Sequence, residues 1–263
     1  MRKYLYIYKA EVMSALQYIG NLIFNSFSYY ILIFILFSLW NYVYDDPTQL
    51  INGYSKSQMI WYVISTEILW KIYNGRKLCR KICDDVRSGN IAYNMNKPYS
   101  YIGYILSSHL GEGTVKSVIY IVLGMSIGLC FLGSFPNASI ISILTVLLTS
   151  FLAVIIDALF VIFIGLFSFY IEDANPIYWV YSKFILILGT IFPIEFFPLT
   201  LQKVFAYSPI YGICYGPAKM FVDFSYSGAI NIITFQIIYI MIAYVLCTRL
   251  YGKGVKKLNV NGG

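Results

Sequence analysis

Charge is what this 263-residue chain has least of. Asp, Glu, Lys and Arg make up 12% of it, about half of the roughly 25% usual in soluble domains. Histidine occurs once, at His109, which excludes histidine-built metal centres and multi-histidine relays. The five cysteines, at 79, 83, 130, 214 and 247, are too scattered for a disulfide framework. Cys79 and Cys83 share a helix face, but two thiolates without further ligands make a poor metal site and read as core packing. No G-x-x-x-x-G-K-[ST] phosphate loop occurs; "YGKGVKK", from Tyr251, lacks both its spacing and its hydroxyl. The N-terminal stretch lacks the clean apolar core and cleavage site of a secretory signal. There is no Gly/Ser-rich linker, no soluble domain, and no internal repeat of the kind found in many secondary carriers.

What is abundant is apolar sequence: 59% hydrophobic residues and a mean hydropathy of +0.69. A membrane span needs about 20 mostly apolar residues, and six stretches qualify: 19–44, 57–73, 114–132, 140–169, 177–192 and 229–250. They are continuous runs and not the alternating segments of a barrel. Backbone groups in hydrocarbon must be satisfied internally, so the runs predict helices. The expected fold is an all-α membrane protein forming a single transmembrane domain over 1–263.

The placement of basic residues orients it. With the N-terminus inside, inner segments carry Arg2, Lys3, Lys9, Arg76, Lys77, Arg80, Lys81, Arg87, Lys97, Arg249, Lys253, Lys256 and Lys257. Outer loops carry Lys56, Lys203 and Lys219. This asymmetry puts both termini in the cytoplasm of the plasma membrane. The formal charge of +7 is accounted for by anionic inner-leaflet lipid, leaving no need for a nucleic-acid partner. Before the first span, Leu5, Tyr8, Val12, Leu16 and Ile19 recur at helical spacing. They describe either an amphipathic helix in the interface or a cytosolic extension of the span.

One polar stretch interrupts the grease, "CRKICDDVRSGNIAYNMNKPYSY" from Cys79 to Tyr101. Over 76–87, Leu78, Cys79, Ile82, Cys83 and Val86 fall on one helical face. Arg76, Lys77, Arg80, Lys81, Asp84, Asp85 and Arg87 take the others. Ser88-Gly89 supplies a stop. Three readings stay open: a membrane-surface helix, a solvated connector, or an apolar stripe docking in a groove of another protein. An acidic-pair metal site at Asp84-Asp85 fails for want of further carboxylates.

Several ionisable groups fall in or beside the spans, where they are costly and usually face a cavity or partner. His109, Glu112 and Lys116 share a face, and Glu112–Lys116 and Glu67–Lys71 are i, i+4 pairs. They are read either as a polar entrance or proton path, or as ion pairs steadying helix ends. A helix continuous from about Tyr99 to Leu132 would be roughly 50 Å long, so its first turns project into the cytoplasm. Asp157 sits mid-span among apolar residues and must be neutralised, paired or turned to the interior, with Lys183 the nearest unassigned cation in sequence. The outer segment 193–228 is too apolar for a free loop. Its prolines cut it into short pieces that predict a re-entrant hairpin covered by protein.

Together these parts resemble the membrane subunit of an ABC-2 type transporter, a six-span exporter permease. The resemblance spans essentially the whole chain. It rests most on "GNIAYNMNKPYSY" (Gly89 to Tyr101), like the family's Gly…Lys/Arg-Pro segment, and on "FYIEDANPIYW" (Phe169 to Trp179) followed by "PIEFFP", as in the drug- or bacteriocin-type branch. The resemblance implies that 76–87 is a coupling helix docking on separate ABC ATPase subunits. Leu78, Ile82 and Val86 would then fill the groove, Asp84, Asp85 and Arg87 would line its rim, and Gly89 and Pro98 would frame the segment. Glu172 and Asp173, in the inner turn after span four, would position that turn near the ATPase or the coupling helix, unless they are only a solvated acidic turn. It also implies no enzyme activity and no cofactor in this chain, ATP and Mg on the partner, and a second permease, identical or related. Glu67, His109, Glu112, Lys116 and Asp157 are the translocation-path candidates, for export of an amphipathic drug, peptide or lipid-like substrate. The rival reading is an ion- or proton-coupled secondary transporter using Asp157, Glu112 and His109. A membrane enzyme lacks clustered carboxylates or an activated nucleophile, and a purely structural or immunity protein would transport nothing.

Overall fold

The computed structural model describes residues 2–46, 48–73, 75–136 and 139–261. About 84% of the chain is helix. The only strands among the described residues are a two-residue hairpin, β1 (Leu50–Ile51) and β2 (Tyr54–Ser55). The all-α expectation holds. In chain order the α-helices are α1 (Arg2–Gln17), α2 (Ile19–Asn25), α3 (Phe27–Val43), α4 (Lys56–Tyr73), α5 (Gly75–Arg87) and α6 (Asn90–Met95). Then follow α7 (Tyr101–Leu132), α8 (Ile140–Leu166), α9 (Asn175–Ile185), α10 (Leu199–Ala206), α11 (Gly216–Val222) and α12 (Tyr226–Asn261).

Among the described residues, four helical stretches are long and apolar enough to cross a membrane: Ile19–Val43, Tyr101–Leu132, Ile140–Phe169 and Tyr226–Lys257. The expected stretches 57–73 and 177–192 fall short of that standard for identifiable reasons. α4 carries Lys56, Glu67 and Lys71 within 18 residues. α9 is 11 residues long and continues as a six-residue π-helical segment, Leu186–Ile191.

α4 is the axis of the fold. Twelve of its residues are buried, Met59 to Tyr73 among them, because α3, α7, α8 and α11 all pack around it. α7 approaches closely through glycine. A Cβ on Gly128 would stand 2.2 Å from the Trp61 ring, so only a bare Cα admits the indole. The outer sides of α3, α8 and α12 instead expose large apolar residues, such as Phe34, Leu144 and Met241. That is the pattern of a surface meeting lipid or another apolar partner.

At 32 residues, α7 is about 48 Å long, longer than the roughly 30 Å hydrocarbon core. Ser100 caps it, accepting from the Gly103 amide. α1 is a helix separate from α2, with the break at Tyr18. It lies along α7, where Tyr8 donates to Thr114 Oγ1 at 2.9 Å and Glu11 Oε1 accepts from Ser108 at 2.7 Å. Leu5, Tyr6, Met13 and Leu16 point away and are exposed.

The segment 193–228 is broken as its prolines require. It comprises a 3-10 turn (Ile194–Phe196), α10, a π-helical turn (Tyr211–Tyr215) and α11. Ile213, Cys214, Ala218 and Phe221 are buried in the main core beside Met59 and Trp61, so the π-helical turn and α11 are covered by protein, whereas α10 buries none of its residues.

Candidate functional site

α5 forms where its periodicity predicts and stops at Gly89, whose φ of +76° is the left-handed conformation that glycine tolerates. The structure corrects the use assigned to its apolar face. Leu78, Ile82 and Val86, with Cys79 and Cys83, are buried inside this chain against Ile102, Ile105, Leu159 and Ile162. They are therefore not free to fill a groove on another protein. Burying this stripe on α8 and α9 removes it from water more completely than a transient partner would. What faces outward is charged: Arg76, Lys77, Arg80, Asp84 and Arg87.

The rim residues also have assignments within the chain. Asp85 Oδ2 accepts from Tyr101 Oη at 2.8 Å. Arg87 Nη2 donates to the Glu172 carbonyl at 2.7 Å, joining α5 to the inner turn. In that turn the Asp173 carboxylate accepts from the Asn175 amide at 3.0 Å and from its side chain. These bonds, the backbone one foremost, hold the Asp173 carboxyl below the usual range. Glu172 itself is exposed. Pro98 accepts from Lys3 Nζ, tying the segment after α6 to α1.

The polar face of α7 is occupied as the spacing predicts, and more fully. Glu112 Oε1 pairs with Lys116 at 2.8 Å, while Oε2 takes Lys77 of α5 at 2.8 Å. One carboxylate thus bolts α7 to α5. His109, 8% exposed, leaves Nε2 without a partner. The Glu67–Lys71 ion pair does not form. Glu67 is buried in the α4 axis, and Lys71 Nζ donates instead to Ser28 Oγ at 3.3 Å.

Asp157 faces the interior. Its Oδ1 accepts from Tyr181 of α9 at 2.9 Å, and Oδ2 is buried without a partner. Lys183 lies over the Trp179 ring and is exposed, so it does not neutralise Asp157. Asp157, Glu112 and Lys116 line one partly open cavity of about 720 Å³, bounded by α1, α2, α3, α4, α5, α7, α8 and α9. Glu67 and His109 do not line it; His109 borders a smaller recess of about 100 Å³ with Glu11, Lys77 and Ser108. A separate apolar groove of about 370 Å³ runs between α4, α7 and α8 past Ile72, Ile121, Met125 and Phe151.

On the opposite side, sequence reasoning missed Glu195. Its carboxylate accepts from Tyr215 at 2.6 Å and from Tyr54 at 3.0 Å, and pairs with Lys219 at 3.4 Å. It links the β-hairpin to the segment 193–228. The available signal was a single acid between two prolines in the apolar run "PIEFFP".

Among curated proteins, sequence comparison finds no match to the chain. A family model described as "ABC-2 family transporter protein" matches residues 11–262, taking in every helix from α2 to α12 and the C-terminal part of α1. With an apolar helical fold, a charged amphipathic helix and a polar cavity already in place, that match is decisive: the chain is a membrane transport permease belonging to the ABC-2 family of transporter proteins.

Proposed function

We propose that this chain is the membrane subunit of an ATP-driven exporter for an amphipathic substrate. Separate ABC ATPase chains, with their ATP and Mg, supply the energy, and a second permease, identical or related, completes the assembly. In this reading α4 and α9 with its π-helical extension join the four long helices as six spans, and both termini lie in the cytoplasm of the plasma membrane. This chain itself catalyses no reaction and holds no cofactor.

The observation that carries the reading is the mounting of α5. Its apolar side is locked to α7, α8 and α9, and its charged side faces out. A push on such a helix cannot be absorbed by the helix alone. The Lys77–Glu112–Lys116 link would pass it to α7, and the Arg87–Glu172 bond would pass it to the turn leading into α9. Docking would use charge complementarity at Arg76, Arg80 and Asp84, in place of an apolar stripe.

The test is a mild-detergent pull-down from native membranes, comparing wild type with Arg80→Glu. Arg80 is exposed, so the variant should insert and melt as wild type while losing a co-purifying ATPase. A wild-type chain that brings down no ATPase would instead favour an ion- or proton-coupled carrier. The unpartnered oxygen of Asp157 supports that second reading, which predicts transport driven by a pH gradient alone.

A further inference from the structure

Asp157 presents an electrostatic problem that the fold leaves unsolved. It is 3% exposed and lines the cavity of about 720 Å³, yet only Tyr181 reaches its carboxylate. A buried carboxylate oxygen without a donor is costly. Among the described residues no donor reaches Oδ2.

The cations around the same cavity are committed or exposed. Lys77 and Lys116 share Glu112, Lys71 bonds Ser28, Lys183 stacks on Trp179, and Arg76 is exposed. Exposed charges are screened by water and headgroups, whereas Asp157 is not. Of the other acids lining the cavity, Glu112 holds two lysines and Glu11 accepts from Ser108, so the deep part at Asp157 is where a positive group would be stabilised. Trp70, Tyr73, Tyr120, Tyr178 and Tyr181 also line it, and aromatic faces attract desolvated cations.

We propose that this cavity is a binding site for a protonated amine carried on an amphiphile, with Asp157 Oδ2 as its acceptor. Tyr181 is a positioning residue, holding Oδ1 so that Oδ2 is presented to the ligand. The aliphatic or aromatic body of the ligand lies against the tyrosines. As a statement about transported substrate, this rests on the permease reading above. As a statement about binding, it stands on the cavity alone.

The experiment uses the full-length protein in nanodiscs of net-neutral lipid, with empty nanodiscs as reference. Three dansyl-labelled twelve-carbon probes differ only in head group: primary amine, carboxylate or alcohol. Wild type is expected to bind the amine at least about tenfold more tightly than the alcohol, as for a buried charge-assisted hydrogen bond. Asp157→Asn keeps the shape and still accepts from Tyr181. It should lose that preference and bind the alcohol as wild type does. Equal binding of amine and alcohol by wild type, a preference for the carboxylate, or amine selectivity surviving in Asp157→Asn would each overturn the site. If the variant does not fold, equal binding of amine and alcohol by wild type still overturns the site. ATPase co-purification without amine selectivity would sink the site and spare the permease reading; the converse would do the opposite.

Discussion

The side chain of Ile82 stands 3.0 Å from the position that a Cβ on Gly165 would occupy. α5 can lie this close to α8 only because residue 165 is glycine. Ile82 is 0% exposed, and removing a core isoleucine to alanine costs about 2–5 kcal/mol. Ile82→Ala should therefore lower the melting temperature in detergent, and Gly165→Leu should do so by overpacking. Melting unchanged in both would mean that α5 is held some other way. For the same reason a charge at Ile82 reports on folding and not on partner binding.

Glu112 holds two lysines, and Lys116 is buried. Breaking a buried pair leaves a charge uncompensated, at about 3–5 kcal/mol; because Glu112 is about a fifth exposed, its loss should fall at the lower end of that range. Glu112→Gln should destabilise clearly, and Lys116→Met should recover much of the loss. A double variant no more stable than Glu112→Gln would argue against the pairing.

Asp173 sets a pH response in the inner turn. Its carboxyl is held below the ordinary value by hydrogen bonds from Asn175, so the folded form favours the carboxylate. Its contribution is present above the unfolded value of about 3.9. It is lost as pH falls through the lower folded value. Hydrogen exchange at the Asn175 amide should thus quicken, relative to its intrinsic rate, below about pH 4. Asp173→Ala should show fast exchange at every pH; a pH-independent wild type would rule out the cap.

Glu195 gathers Tyr54, Tyr215 and Lys219. Glu195→Leu strands the two hydroxyls, and a buried orphan costs about 1–3 kcal/mol. The variant should melt earlier and expose the segment 193–228 to labelling at Cys214, which is otherwise 0% exposed. Adding Tyr54→Phe and Tyr215→Phe should restore part of the stability. Unchanged Cys214 reactivity in Glu195→Leu would show that the hub does not hold the segment down.

Much of this was written in the chain itself. Long apolar runs allow only helices in hydrocarbon, Gly89 marks the stop of α5, and the i, i+4 spacing of Glu112 and Lys116 brings them together on any helix. These are local consequences, settled within a few turns. Other outcomes depended on which helices become neighbours. Periodicity says that α5 has an apolar side, but not that α8 covers it. The spacing of Glu67 and Lys71 permits a pair, but packing buried Glu67 in the α4 axis and turned Lys71 to Ser28. Tyr181 meets Asp157 across 24 residues, and Glu195 meets Tyr54 across 141. Local sequence sets the faces of each helix; only tertiary packing, where desolvation and close contact compete, decides what each face meets.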